Sequence, residues 1–195
     1  MKLLGSNWPW HFLIVAVLYL AAAHRWDSRA VLALALTSFA AWRGVSVNVV
    51  HGIFEPRTVA ATRANALACG LLFLLGALVA VLWKKKAHFE GVWVNTGLLL
   101  VLGGLLSGAF GDRESWPVWL LALLLVAGSV IWLSFRLARL LPFALGVVAA
   151  YLGFLRLLFR VLRHGEAMAF LMTALSGIGV LFILVAAFRR MRERA

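Results

Sequence analysis

The chain of 195 residues is 64% hydrophobic and 13% charged, and its 19 Lys and Arg residues outnumber 7 Asp and Glu residues. This composition leaves too little polar surface to cover a water-soluble domain, whereas a lipid-facing surface needs no polar coat. The basic residues stand mainly between long apolar segments, where they set membrane topology and contact anionic lipid headgroups. A nucleic-acid-binding protein needs a contiguous basic face in water, so we expect no nucleic-acid partner.

Seven apolar segments follow one another along the chain. A membrane-spanning helix needs about 20 mainly apolar residues, with Trp near its ends. The segments cover residues 8–23, 28–47, 59–83, 91–110, 116–135, 140 onwards into a basic tail, and 166–188, and all nine Trp residues lie near segment ends. The sequence therefore predicts an all-α polytopic transmembrane helical bundle of about seven spans, or six if the second segment is re-entrant, in a single domain over residues 1–195.

The distribution of Lys and Arg between the two sides of a seven-span protein predicts its orientation. The side with loops one, three and five and the C-terminus carries eleven of these residues, and the opposite side carries eight. Because cytoplasmic loops carry the excess, the C-terminus is predicted to be cytoplasmic. The first segment is preceded by Lys2 alone and followed by six further apolar segments, so we interpret it as a retained span.

Residues 42–65, WRGVSVNVVHGIFEPRTVAATRAN, form the most polar interruption of the apolar pattern. On a helix, Asn48, His51 and Glu55 would lie along one face, because their spacings are three and four residues. An ionisable His and Glu pair near lipid is costly to hold and is therefore a candidate for proton relay or headgroup binding. Alternatively this stretch is an interfacial turn, since Pro56 disfavours helical geometry at Glu55.

Arg43 and Arg63 flank this polar stretch, and Asn65 lies one turn into the third segment. Arginine side chains with Asn could bind a phosphate or a carboxylate in a water-filled vestibule. Alternatively the arginines extend to lipid headgroups from the ends of their segments. The predicted ligand-binding residues are Arg43, Asn48, His51, Glu55, Arg63 and Asn65.

The fourth segment carries small residues at four-residue spacing. Such a stripe lets a second helix approach closely. The partner is either another helix of the same bundle or a second copy of the chain in a homo-oligomer. The predicted helix-packing residues are Gly103, Gly104, Ser107, Gly108 and Gly111.

The sixth segment ends in a basic, amphipathic helix. Arg156, Arg160 and Arg163 recur along one stripe between Leu and Phe residues, which predicts contact with anionic lipid headgroups. The single cysteine, Cys69, excludes an intrachain disulfide. No two His residues have ligand spacing with a carboxylate, so we predict no metal site, and we expect no cofactor.

Two stretches carry a resemblance to a known family: DSRAVLALALTSFAAWRGV at residues 27–45, and LPFALGVVAAYLGFLRLLFR at residues 141–160. A span with a Gly-rich start lies between them. Together these features resemble a family of uncharacterised bacterial membrane proteins, which is the domain of unknown function with the number twenty-one fifty-seven. The resemblance implies a multi-pass helical protein of the bacterial inner membrane with no assigned activity. It supplies no catalytic residues, and members of the family tend to be longer.

These patterns favour a non-enzymatic accessory or scaffold module that packs against the helices of a membrane-protein partner. The alternative is a small transporter, or a binder of lipid or anion headgroups, that uses the polar stretch at residues 42–65. An intramembrane enzyme is a third alternative, for which the sequence offers no catalytic residue. A binder should contain a pocket lined by the predicted ligand-binding residues, whereas a scaffold should be packed solid.

Overall fold

The computed structural model describes residues 8–44, 56–82, 87–111, 114–161 and 166–192. In these ranges the chain forms seven α-helices and one short 3-10 turn, and it contains no strand. The helices are α1 Trp8–Trp26, α2 Arg29–Trp42, α3 Pro56–Leu82, α4 Glu90–Gly111, α5 Trp116–Arg136, α6 Leu140–Val161 and α7 Glu166–Arg192, and the 3-10 turn is Ala87–Phe89. The predicted all-α helical bundle is confirmed.

Five of the described helices are long and apolar enough to cross a membrane. Their spanning parts are Val59–Leu82 in α3, Glu90–Gly111 in α4, Trp116–Arg136 in α5, Leu140–Arg160 in α6 and Met172–Arg190 in α7. The shortest of them has 19 residues. At a rise of about 1.5 Å per residue it reaches about 28 Å, close to the bilayer hydrocarbon thickness of about 30 Å. These helices make the chain an integral membrane protein.

The second helix is shorter than the apolar pattern predicted. It has 14 residues and ends at Trp42, whereas the predicted segment continued to residue 47. The helix ends there because Gly44 adopts φ of 80°, a left-handed conformation that suits glycine and terminates helices. At about 1.5 Å per residue α2 reaches about 21 Å, which is too short to cross a hydrocarbon core of about 30 Å.

A tight turn joins α1 to α2. Asp27 adopts φ of 55°, which reverses the chain within two residues. The Ser28 backbone N–H donates to the Ala23 carbonyl at 3.2 Å, and the Ser28 hydroxyl accepts from the Val31 N–H at 3.4 Å. These bonds satisfy backbone groups that both helix ends would otherwise leave unpaired.

The chain forms two compact units, Met1–Gly104 and Leu105–Ala195, which we call unit 1 and unit 2. In unit 1, a chain of aromatic rings connects the first four helices. Trp10 lies 6.4 Å from Trp42, which lies 5.4 Å from Phe39. Phe39 lies 6.0 Å from Phe73, and Phe73 meets Trp93 edge to face at 5.8 Å. Because Trp10 begins α1 and Trp42 ends α2, these two helices form an antiparallel hairpin.

In unit 1, α3 and α4 approach each other closely at glycines. A Cβ atom on Gly70 would lie 2.8 Å from the Gly97 carbonyl oxygen and 2.9 Å from the Val101 backbone nitrogen. A Cβ atom on Gly104 would lie 2.9 Å from the Leu67 side chain. All three distances are below van der Waals contact, and because the neighbours of Gly70 are backbone atoms, the two helices pack there at a separation that only glycine allows.

In unit 2, α5, α6 and α7 pack side by side. The cluster that joins them consists of the buried residues Phe143, Val147 and Ala187 and the partly buried residues Ile131, Phe135, Val180 and Leu184. The Tyr151 hydroxyl on α6 donates to the Thr173 carbonyl on α7 at 3.0 Å and lies 3.3 Å from the Ser176 hydroxyl. A Cβ atom on Gly177 would lie 3.2 Å from that Tyr151 oxygen, so the small residue gives the ring room.

Candidate functional site

An apolar cavity of about 780 Å³ lies in unit 1 among α1, α2 and α3. This volume falls in the range of about 300–1,000 Å³ that is typical of ligand pockets. Apart from His24 and Gly76, the residues that line the cavity have aliphatic or aromatic side chains. The concave surface is thus suited to a ligand that is largely hydrocarbon.

One face of α1 forms the first wall of the cavity. Leu13, Ala16, Val17, Leu20 and His24 line it. Their spacings of three, one, three and four residues place them on one side of a helix with 3.6 residues per turn. The lining therefore extends along α1 from Leu13 to His24, a separation of eleven residues or about 16 Å at a rise of about 1.5 Å per residue.

The other walls come from α2, α3 and the beginning of α4. They consist of Ala35, Leu36, Phe39, Leu72, Phe73, Leu75, Gly76, Val79, Ala80, Phe89 and Trp93. A Cβ atom on Gly76 would lie 2.9 Å from the Trp93 ring, so glycine at this position lets the indole lie flat against α3. The rings of Phe39, Phe73 and Trp93 give the cavity one rigid aromatic side.

The cavity is open along one side. Val17, Leu72 and Leu75 line it and yet are 57%, 50% and 59% exposed. Exposed apolar side chains of membrane helices typically contact lipid, so the exposed lining is suited to an opening toward the bilayer. A ligand could enter from the membrane without crossing water.

One end of the cavity is polar. The His24 Nδ1–H donates to the Leu20 carbonyl at 2.9 Å, and the His24 ring meets Phe89 edge to face at 5.5 Å. Phe89 in turn lies 4.2 Å from the His88 ring, whose Nε2 lies 3.3 Å from the Asp27 carboxylate. This contact joins the α1–α2 turn to the 3-10 turn near the polar end of the cavity.

Of the predicted ligand-binding residues, the three that the structure describes, Arg43, Arg63 and Asn65, do not line this cavity. Of these residues, the structure brings together Arg43 and Asn65. The Asn65 side-chain Nδ2 donates to the Arg43 backbone carbonyl at 2.7 Å, and the Arg43 guanidinium donates to the Asn65 side-chain Oδ1 at 3.3 Å. Because these bonds satisfy a carbonyl at the end of α2, they serve to hold α2 against α3.

Arg63 lies partly buried on α3, two residues before Asn65. The other three predicted ligand-binding residues, Asn48, His51 and Glu55, lie outside the described residues. Their proposed hydrogen-bonded pair therefore stays a prediction.

The glycine stripe of α4 divides between two environments. A Cβ atom on Gly108 would lie 2.5 Å from the Trp119 ring in unit 2, so Gly108 faces α5. Gly104 faces Leu67 on α3, whereas a Cβ atom on Gly103 would meet nothing within 4 Å. Ser107 is partly buried and Gly111 is exposed at the helix end. The sequence pattern did not include Gly70 and Gly97, where α3 and α4 come closest.

The predicted headgroup-binding arginines of α6 have protein contacts in unit 2. Arg156 Nε donates to the Ala109 carbonyl at 3.3 Å, and Nη2 donates to the Phe110 carbonyl at 3.4 Å. The Arg160 guanidinium lies over the Trp116 ring, 4.6 Å from its centroid. Arg163 lies outside the described residues. Contact of these arginines with lipid headgroups stays a prediction.

Sequence reasoning missed the cavity because its pattern is not distinctive. Helix-spaced apolar residues on α1 are equally typical of a face that packs tightly against a neighbour. Only the positions of α2 and α3 reveal that this face borders open space. Within the described parts of the chain, no three His, Cys, Asp or Glu side chains are placed to hold a metal ion.

Comparisons of this chain with protein-family models, with curated proteins and with solved structures found no match. The resemblance to the bacterial family of unknown function therefore stays a prediction.

Proposed function

We propose that the protein is a non-enzymatic membrane module that holds an acyl chain of a bilayer lipid in the unit 1 cavity. The observation that carries the proposal is the match between the cavity and one leaflet of a membrane. Its lining along α1 is about 16 Å long, and half of a hydrocarbon core of about 30 Å is about 15 Å. The cavity is apolar along this length and polar at one end. A lipid would match this arrangement, with its acyl chain along the apolar part and its headgroup at the polar end.

The opening of the cavity supports a lipid as the ligand. The exposed Val17, Leu72 and Leu75 face the bilayer, so lipid chains are the molecules that reach the cavity at the highest concentration. An empty cavity is also unfavourable, since lost contacts cost on the order of 24 cal/mol per Å³. Lipid chains would therefore occupy the space whenever the protein is in a membrane.

The strength of binding should be modest. An acyl chain that moves from the bilayer into the cavity exchanges one apolar environment for another, so no hydrophobic driving force favours the move. Binding then depends on van der Waals contact with the rigid rings of Phe39, Phe73 and Trp93. We expect the bound lipid to exchange with bulk lipid, but more slowly than lipids that contact the exposed outer surfaces of the helices.

Native mass spectrometry of protein released from lipid nanodiscs tests the proposal. Wild-type protein should retain a lipid, and Val17→Trp or Ala80→Trp should lower the lipid-bound fraction several-fold, because each indole would occupy part of the space that the acyl chain needs. Val148→Trp is the matched control, since Val148 is 46% exposed on α6 and lies outside the cavity. Wild type without bound lipid, or cavity variants that keep as much lipid as the control, would overturn the proposal.

Helix α7 supports a second candidate function, a scaffold that binds a partner helix. In its spanning part, Met172–Arg190, only 6% of the most apolar window is buried, against 44% in α4. A helix from another membrane protein could cover this face, and Gly179, where a Cβ atom would meet nothing within 4 Å, offers a point of close approach. Photo-crosslinkers placed at Ile178 on α7 and, as a control, at Leu121 on α5 should then capture different molecules. The α7 position should capture one defined protein, and lipid alone at both positions would exclude this candidate.

A further inference from the structure

The polar end of the unit 1 cavity lies where lipid headgroups are expected. Trp26 ends α1 there and is 73% exposed. Exposed Trp on a membrane helix is typical of the interface between hydrocarbon and water. His24 lines the cavity two residues before Trp26, so the cavity reaches that interface. A lipid with its acyl chain in the cavity would therefore place its headgroup beside the α1–α2 turn.

Two arginines flank this turn, and both are exposed. Arg25 lies in the last turn of α1, and Arg29 is the first residue of α2. Guanidinium groups bind phosphate through paired, charge-assisted hydrogen bonds and lose little hydration in doing so. The turn thus carries the chemistry that recognises a phosphate at the depth where a lipid would present one.

The acidic groups at this end of unit 1 are engaged elsewhere. The Asp27 carboxylate lies 3.3 Å from His88 Nε2. Glu90 lies in the first turn of α4, where the helix dipole stabilises a negative charge. Arg25 and Arg29 are therefore the exposed basic groups, among the described residues of this turn, that an anionic headgroup would meet.

We infer that the lipid held in the cavity is an anionic phospholipid, whose headgroup phosphate is bound by Arg25 and Arg29 at the α1–α2 turn. This inference rests on the proposed function and adds the headgroup class to it. The acyl chain makes contacts along the cavity. The arginines distinguish between lipids that have the same chains and different headgroups.

Native mass spectrometry from mixed nanodiscs tests the inference. The nanodiscs contain equal amounts of phosphatidylglycerol and phosphatidylcholine with identical chains. Wild-type protein should carry the anionic lipid in excess, by about five-fold for each arginine, which corresponds to about 1 kcal/mol per basic residue. The double variant Arg25→Gln/Arg29→Gln should retain a lipid but lose this preference.

The control variant is Arg189→Gln/Arg190→Gln, which removes the same charge from the exposed end of α7. It should keep the wild-type preference. Bound lipid in the proportions of the nanodisc would overturn the inference and leave the proposed function intact. An equal loss of preference in the control would also overturn it, by showing a general effect of net charge. If wild-type protein retains no lipid at all, the proposed function fails first.

Discussion

Arg156 shows how a charged side chain within a spanning helix can serve the fold. Its two donors bind carbonyl oxygens of Ala109 and Phe110 in the last turn of α4, and its guanidinium lies 5.4 Å from the Phe110 ring centroid. The last carbonyls of a helix have no partner within the helix, and they attract a cation. In unit 2, Arg156 therefore holds α6 against the end of α4.

The variant Arg156→Gln should lower the free energy of unfolding by about 1–2 kcal/mol, because hydrogen bonds from a charged donor are lost and two carbonyls lose their partner. Arg156→Lys is the matched control and should lose less, since it keeps the charge. Unfolding by SDS titration in mixed micelles measures both. A Gln variant as stable as wild type would contradict a bracing role.

Asn65 offers a second test at the level of one residue. Asn65→Leu removes both bonds to Arg43 and leaves a carbonyl at the end of α2 without its partner, at a cost of about 1–2 kcal/mol. Thr37→Val is the control, because the Thr37 hydroxyl bonds only to carbonyls of its own helix, at 3.0 Å from Ala33 and Leu34. The same SDS titration should show a loss for Asn65→Leu and little change for Thr37→Val.

At the scale of elements, the contact between α3 and α4 depends on glycine at particular positions. Gly70→Ala would place a methyl group 2.8 Å from the Gly97 carbonyl oxygen, which cannot move without the helix. We expect a loss of about 1–3 kcal/mol, as for other overpacked positions. Gly103→Ala is the control, because its methyl group would enter open space and favour the helix by up to about 1 kcal/mol. Equal effects of the two variants in SDS titration would contradict the contact.

Most helix boundaries could be predicted from the sequence because spanning helices follow from apolar length alone. Helix α4 covers Glu90–Gly111 where residues 91–110 were predicted, and α5 begins at Trp116 as the Trp-Pro pair indicated. The end of α2 could not be predicted, since residues 43–47 are mixed in character and the left-handed Gly44 stops the helix first. Hydropathy measures the preference of a segment for lipid and does not describe the backbone conformation that ends a helix.

The candidate functional site was harder to predict than the helices. The polar residues at 42–65 were predicted to bind a ligand. In the structure, Arg43 and Asn65 instead form hydrogen bonds with each other. The cavity arises from the way α1, α2 and α3 are arranged, and its lining is as apolar as the rest of the bundle. A site for a hydrocarbon ligand thus leaves no compositional signal in a membrane protein, because lipid and ligand select the same side chains.

At the scale of the whole molecule, loops three and five and the C-terminus carry nine Lys and Arg residues, against seven in loops two, four and six. This excess does not depend on whether α2 crosses the membrane, and it predicts a cytoplasmic C-terminus. The two ends of α5 provide a test, since a spanning helix of 21 residues must place them on opposite sides of the membrane. Glu114 precedes α5 and is exposed, and Leu137 follows α5 and is 53% exposed. The predicted orientation places Glu114 outside and Leu137 in the cytoplasm.

Cysteine labelling in intact bacterial cells measures this orientation. Cys69 is buried and would be replaced by Ser, so that Glu114→Cys or Leu137→Cys carries the only thiol. A membrane-impermeant maleimide should label Glu114→Cys at once and Leu137→Cys only after the membrane is permeabilised. The opposite pattern would place the C-terminus outside and show that a majority of nine basic residues to seven does not decide the orientation of this chain. Labelling of both positions in intact cells would contradict α5 as a span.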